Sequence, residues 1–99
     1  MRAIINMVSD RGASATGWRA REIRVEKATA TLEDILRSAT LKEGKSTLYD
    51  LVTDKESFRD DFSLFISGEF MQGDVDLKRA IRDSEQIHLW DWPFSTRDS

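Results

Sequence analysis

Between Phe62 and Trp92 the chain twice alternates apolar with polar side chains, and turn-forming residues separate the two runs. Phe62, Leu64 and Ile66 oppose Ser63, Phe65 and Ser67; after a Ser67-Gly68 turn, Glu69 and Phe70 extend as a short edge strand. Asp83-Ser84-Glu85 then turns into a last run in which Ile87 and Leu89 oppose His88, Trp90 and Trp92, and Pro93 ends it. A period of two is the signature of half-buried strands. Any fold for this chain must therefore supply a sheet with one apolar face. Between the runs, Asp76 to Ile81 is expected to make one helical turn that buries Leu77 and Ile81.

Residues 1–27 predict a β-hairpin. Ala3, Ile5 and Met7 alternate with Arg2, Ile4 and Asn6, and Ile23 and Val25 alternate with Glu22, Arg24 and Glu26. The intervening Ser9 to Gly17 has two glycines and no large apolar side chain, and is expected to be a loop. At Thr31 the period changes: Leu32, Ile35, Leu36 and Ala39 fall at i, i+3, i+4 and i+7, one apolar stripe on a helix over 31–43. Thr31 is the expected N-cap with Asp34 as its capping-box partner, and Gly44 the expected stop. A second short helical turn follows Ser46, with Leu48, Leu51 and Val52 inward, and polar Thr53 to Asp61 is expected to be a loop. Strands on both sides of one helix predict a single α+β domain, a roll whose mixed four- to five-stranded sheet is covered by one main helix on one face. First and last strands pair in parallel at its centre, the C-terminal strands occupy 62–93, and 94–99 is a tail.

Ninety-nine residues suffice for one core. With no cysteine there is no disulfide, thiol nucleophile or Cys-based zinc site, and His88 as sole histidine excludes a multi-histidine metal site. No apolar run approaches the roughly 20 residues that span a bilayer, and the first residues lack a secretory leader, so the chain reads as soluble and cytoplasmic. Net charge is -3, divided between residues 1–27 (six Arg/Lys, three Asp/Glu) and residues 28–99 (nine and fifteen). The basic hairpin falls short of the cationic bias of nucleic-acid binders.

Several of these segments resemble the small ubiquitin-like sulfur carriers, the molybdopterin-synthase small subunit and thiamine-carrier type. Thr31-Leu32-Glu33-Asp34-Ile35-Leu36 is similar to that family's helix start, and Leu48-Tyr49-Asp50-Leu51-Val52 to the segment after it. Phe65-Ile66-Ser67-Gly68-Glu69 resembles its strand and Asn-Gly-Glu turn, with Ser67 in the Asn place. Leu77, then Ile81 to Ile87, resembles its leucine, Asp-Gly-Asp turn and final strand. The resemblance implies a ubiquitin-like β-grasp fold and a protein partner, either a larger enzyme subunit or an E1-like adenylating enzyme. Such carriers end on Gly-Gly, whose bare backbone threads the partner's active-site channel. Here Thr96 and Arg97 stand near those places and no glycine follows Gly73. The expectation is a non-catalytic interaction module or accessory subunit, with a diverged sulfur carrier as the alternative.

The candidate site follows from alternation. If Leu64, Ile66, Ile87 and Leu89 face the helix, then Phe65, His88, Trp90 and Trp92 face away. With Phe94 in the tail, they make an aromatic docking patch on the open sheet face. The alternative is that Ser9 to Gly17, or Trp18 and the C-terminal tail, folds back over them as a second small core. No spacing ties a nucleophile to His88, and no catalytic residue is expected. The acidic series Asp50, Asp54, Glu56, Asp60 and Asp61 lacks a calcium-loop pattern, so neither metal nor cofactor is expected. Arg19, Arg21 and Arg24 suit a charged strand edge that resists aggregation.

Overall fold

The structure is a computed structural model that describes residues 1–8, 10–59, 61–72 and 75–91. Its elements run β1 (Arg2–Met7), α1 (Asp10–Thr16), β2 (Ala20–Arg24), β3 (Ala30–Thr31), α2 (Leu32–Ser38) and α3 (Leu48–Val52). Then follow β4 (Thr53–Asp54), β5 (Ser57–Phe58), β6 (Phe62–Ile66), β7 (Glu69–Gln72), β8 (Ala80–Ile81) and β9 (Glu85–Asp91).

Five strands form one mixed sheet in the order β2-β1-β9-β6-β7. The parallel pair β1 and β9 lies at its centre, as expected for the roll, and the other pairings are antiparallel. Parity decides which side chains meet the core. Ala3 and Ile5 from β1, Leu64 and Ile66 from β6, and Ile87 and Leu89 from β9 are buried on one face, against Leu32, Ile35 and Leu36 of α2.

The α2 start is built as the sequence indicates. Thr31 Oγ1 accepts the Asp34 N–H at 3.3 Å, and Asp34 Oδ2 accepts the Thr31 N–H at 3.0 Å. The next two amide donors, which have no partner inside the helix, are met by the Arg79 and Leu77 carbonyls. The expected helical turn from Asp76 to Ile81 is thus replaced by backbone that caps α2, and Ala80–Ile81 pairs with β3. Ile81 is buried there all the same.

Three further expectations are corrected. The Ser9 to Gly17 segment, expected as a loop, contains helix α1; it closes where Gly17, at φ +85°, donates its N–H to Ala13 O, the left-handed cap that glycine favours. Helix α2 stops at Ser38, not 43, because the apolar stripe ends at buried Ala39 and the chain turns extended to bridge Thr40 with Thr47. Gly44 marks the turn of that excursion. Polar Thr53 to Asp61 contains the β4–β5 hairpin, with Lys55 and Glu56 both at positive φ. Strand β2 is also shorter than the Trp18 to Lys27 run.

Candidate docking face

Residues of even number in β1 and β9 and of odd number in β6 point away from α2, since neighbours on a strand alternate. Cross-strand register then assembles them. Asn6, His88, Phe65 and Phe70 lie side by side across four strands, and Trp90 pairs with Ser63 in the adjacent row. Phe65 meets His88 edge to face with ring centroids 6.3 Å apart. The Phe70 and Trp90 rings are 5.9 Å apart.

Phe65, His88 and Trp90, expected on this face, are therefore brought together, each half-buried. Trp92 and Phe94 lie outside the described residues. Two members escaped the sequence reading. Phe70 is 48 % exposed, and its place follows from the two-residue Ser67-Gly68 turn, which sets Phe70 opposite Phe65. Val8 is 53 % exposed and continues the outward series of β1 one step past Asn6; its N–H donates to Leu89 O at 2.9 Å, beside Trp90. Among the described residues these two are the exposed large hydrophobics; the Phe70 ring lies against Trp90, and Val8 follows Met7, the register partner of Leu89. The Ser9 to Gly17 segment contains α1, whose Ala13 packs against the core, as does Trp18, and the tail lies outside the described residues.

Apart from half-buried Ile4, the rest of the open face is polar. Asn6 Nδ2 donates to Gln86 Oε1 at 3.0 Å, and Arg2 and Arg24 share the Glu22 carboxylate at 3.3 and 3.5 Å. Among the described residues, no carboxylate or hydroxyl bond to His88 is present.

The helix side carries a charged cleft of about 710 Å³. Glu33 there accepts from Arg37 Nε at 2.9 Å and Lys78 Nζ at 3.2 Å, and these bonds, Arg37's first, hold its carboxyl below the usual range. The Arg37 guanidinium stacks 3.8 Å above the Tyr49 ring and is pushed up by Glu33. All three charges are mutually satisfied. No group of three or more metal-ligating side chains exists among the described residues, and no described helix is long and apolar enough to cross a membrane.

No family model matches this chain, and neither does any curated protein. Among solved structures it is similar to SAMP1 from Haloferax volcanii, a protein of ubiquitin-like fold, at TM-score 0.69 and 20 % identity over 92 % of this chain and 94 % of that one. Likeness at that identity speaks to architecture. Together with the parallel central pair and the helix across one face, it makes this chain a ubiquitin-like β-grasp fold.

Proposed function

We propose that this chain is a non-catalytic ubiquitin-like module that docks onto a protein partner through its open sheet face. One observation carries the reading: Phe70, one of the two exposed large hydrophobics among the described residues, lies with its ring 5.9 Å from that of Trp90 on that face, and Val8, the other, follows Met7, which is in register with Leu89. Apolar groups gathered in one patch, with tryptophan at the centre, are what protein interfaces use for most of their binding energy. Phe65 and His88 flank the centre, and Trp92 and Phe94 belong to the proposal on sequence grounds. The partner is a larger enzyme subunit or an adenylating enzyme of the E1 type.

The test compares co-purification from the native host for wild type, Trp90→Ala, and Trp90→Ala combined with Phe70→Ala. Loss of the partner with the far-UV spectrum and cooperative unfolding retained is expected. A retained partner, or a collapsed fold, overturns the reading.

A second reading, a diverged sulfur carrier, is favoured by the β-grasp fold together with the turn and helix-start motifs. Intact mass spectrometry of the protein from its native host tests it: an adenylate or a carboxylate in which sulfur replaces oxygen is expected under that reading and absent under the first.

A further inference from the structure

The two ends of the sheet are built differently. Hydrogen bonds from Met7 N–H to Arg19 O and from Val25 N–H to Met1 O set the β1–β2 ladder, so the backbone groups of β2 that face outward belong to Ala20, Glu22 and Arg24. Four of the five residues around that edge (Arg21 to Arg24, with Arg19 before them) are charged, a pattern that discourages strand pairing. At the other end, β7 is Glu69-Phe70-Met71-Gln72, and its one charge is already bound to Arg79 at 2.7 Å.

The turn into β7 fixes which of its backbone groups are free. Ser67 and Gly68 have φ of +51° and +81°, the pattern of a type I′ hairpin closed by the hydrogen-bonded pair Ile66 and Glu69. Alternation along the ladder then makes Leu64 and Met71 the next bonded pair and leaves Phe65 and Phe70 unbonded across it. The Phe70 N–H and C=O consequently point outward, at an edge where no described strand pairs. Its side chain points onto the aromatic patch and is half exposed. Backbone pairing groups and an apolar anchor thus coincide at one residue.

The geometry points to strand addition at β7: an extended segment of the partner protein pairs with Phe70, and its paired residue, apolar, lies beside the Phe70 ring and lengthens the Phe70–Phe65–His88 row. Residues paired across a ladder share a face, which is why the apolar side chain falls on the patch. Its neighbours point to the other face, where Arg79 lies against Glu69 and Met71 and polar side chains are accommodated. A second copy of this chain is a poorer occupant, since each copy carries a net charge of -3 and offers only the four residues of β7. The inference rests on the docking reading and specifies how docking occurs.

The probe is a random-peptide library displayed on phage and selected on the full chain, keeping peptides whose binding is lost in folded Trp90→Ala. Amide hydrogen exchange is then followed by NMR with and without a synthetic copy of the selected peptide. Slowing of the Phe70 amide by about tenfold or more on binding is expected, because an amide that faced water acquires a partner. Phe70→Pro, which removes only an outward N–H from the ladder, is expected to weaken binding more than Phe70→Thr. Peptide binding that shifts His88 and Trp90 but leaves Phe70 exchange unchanged overturns strand addition while sparing the docking reading. Absence of any Trp90-dependent peptide overturns the docking reading itself. Protection of Phe70 that rises with protein concentration alone assigns the edge to a second copy and overturns the proposal.

Discussion

The Trp90 and Phe70 rings stand 5.9 Å apart with their planes tilted by 47°, one on central β9 and the other on edge strand β7. Strand β6 runs between them, so the contact is diagonal across the outer face. Tilted aromatic pairs at this spacing contribute about 0.5–1.5 kcal/mol beyond the area they cover. A double-mutant cycle of Trp90→Ala and Phe70→Ala, read by urea unfolding, is expected to give a coupling of that size with the fold retained in all three variants. A coupling of zero would mean that the two rings do not stabilise each other in the fold.

Neighbouring residues on β6 should behave in opposite ways. Leu64 is fully buried, and Leu64→Ala is expected to cost about 2–5 kcal/mol through lost contacts and a residual cavity. Phe65 points the other way and is half-buried, so Phe65→Ala is expected to cost about 1 kcal/mol while weakening partner binding. Equal stability losses at the two sites would contradict the facing assigned to β6.

Periodicity made the sheet and its facing legible because side-chain alternation is a geometric necessity once one face is buried. Ile87 and Leu89 against His88 and Trp90 is the clearest case. The α2 start was equally legible, since Thr31 and Asp34 sit at the one spacing that closes a capping box. Helix α1 was not: Asp10 to Thr16 has only small or polar residues, and it is held by tertiary contacts such as Lys42 N–H to Ala15 O. The β8 pairing was hidden for a related reason, as its two residues form a strand only because β3 lies alongside. Phe70 and Val8 were recoverable from turn length and parity, but short or terminal positions carry too few repeats of the period to stand out alone.

Ser63 has no exposed surface, and its hydroxyl meets no hydrogen-bond partner among the described residues. It lies in register with Trp90, on the outward-facing row. A buried hydroxyl without a partner costs about 1–3 kcal/mol. Ser63→Ala is expected to raise stability by about 1 kcal/mol in urea unfolding; a loss of that size would instead reveal a bond made by the hydroxyl in solution.

The β4–β5 hairpin turns through Lys55 at φ +53° and Glu56 at φ +69°, a conformation that side chains other than Gly, Asn and Asp resist. Glu56→Gly relieves the steric cost but enlarges the unfolded ensemble, leaving a net gain of roughly 0.5–1 kcal/mol. A higher thermal midpoint is the expected readout. An unchanged midpoint would indicate that Glu56 contributes something other than strain to the helix-side cleft it lines.

Acid should loosen the protein from the start of α2. The Thr31 backbone N–H, chiefly, holds the Asp34 carboxyl below its ordinary value; partial burial opposes the shift and Lys27, 3.2 Å away, adds to it. Glu33 is lowered beside it by Arg37 and Lys78. A carboxyl whose folded pKa lies below its unfolded one favours the native state at every pH above the unfolded value, about 3.9 for Asp and 4.3 for Glu. That contribution disappears as pH falls through the folded values. The thermal midpoint is thus expected to be insensitive to these groups from neutrality to about pH 5 and to fall below about pH 4. Asp34→Asn is expected to be less stable than wild type at neutral pH and to show a shallower acid decline, and Thr31→Ala to cost about 1 kcal/mol by removing the reciprocal cap. If Asp34→Asn kept the wild-type acid slope, the capping carboxylate would not be a source of the acid sensitivity, and the remaining shifted carboxyl, Glu33, would have to account for it.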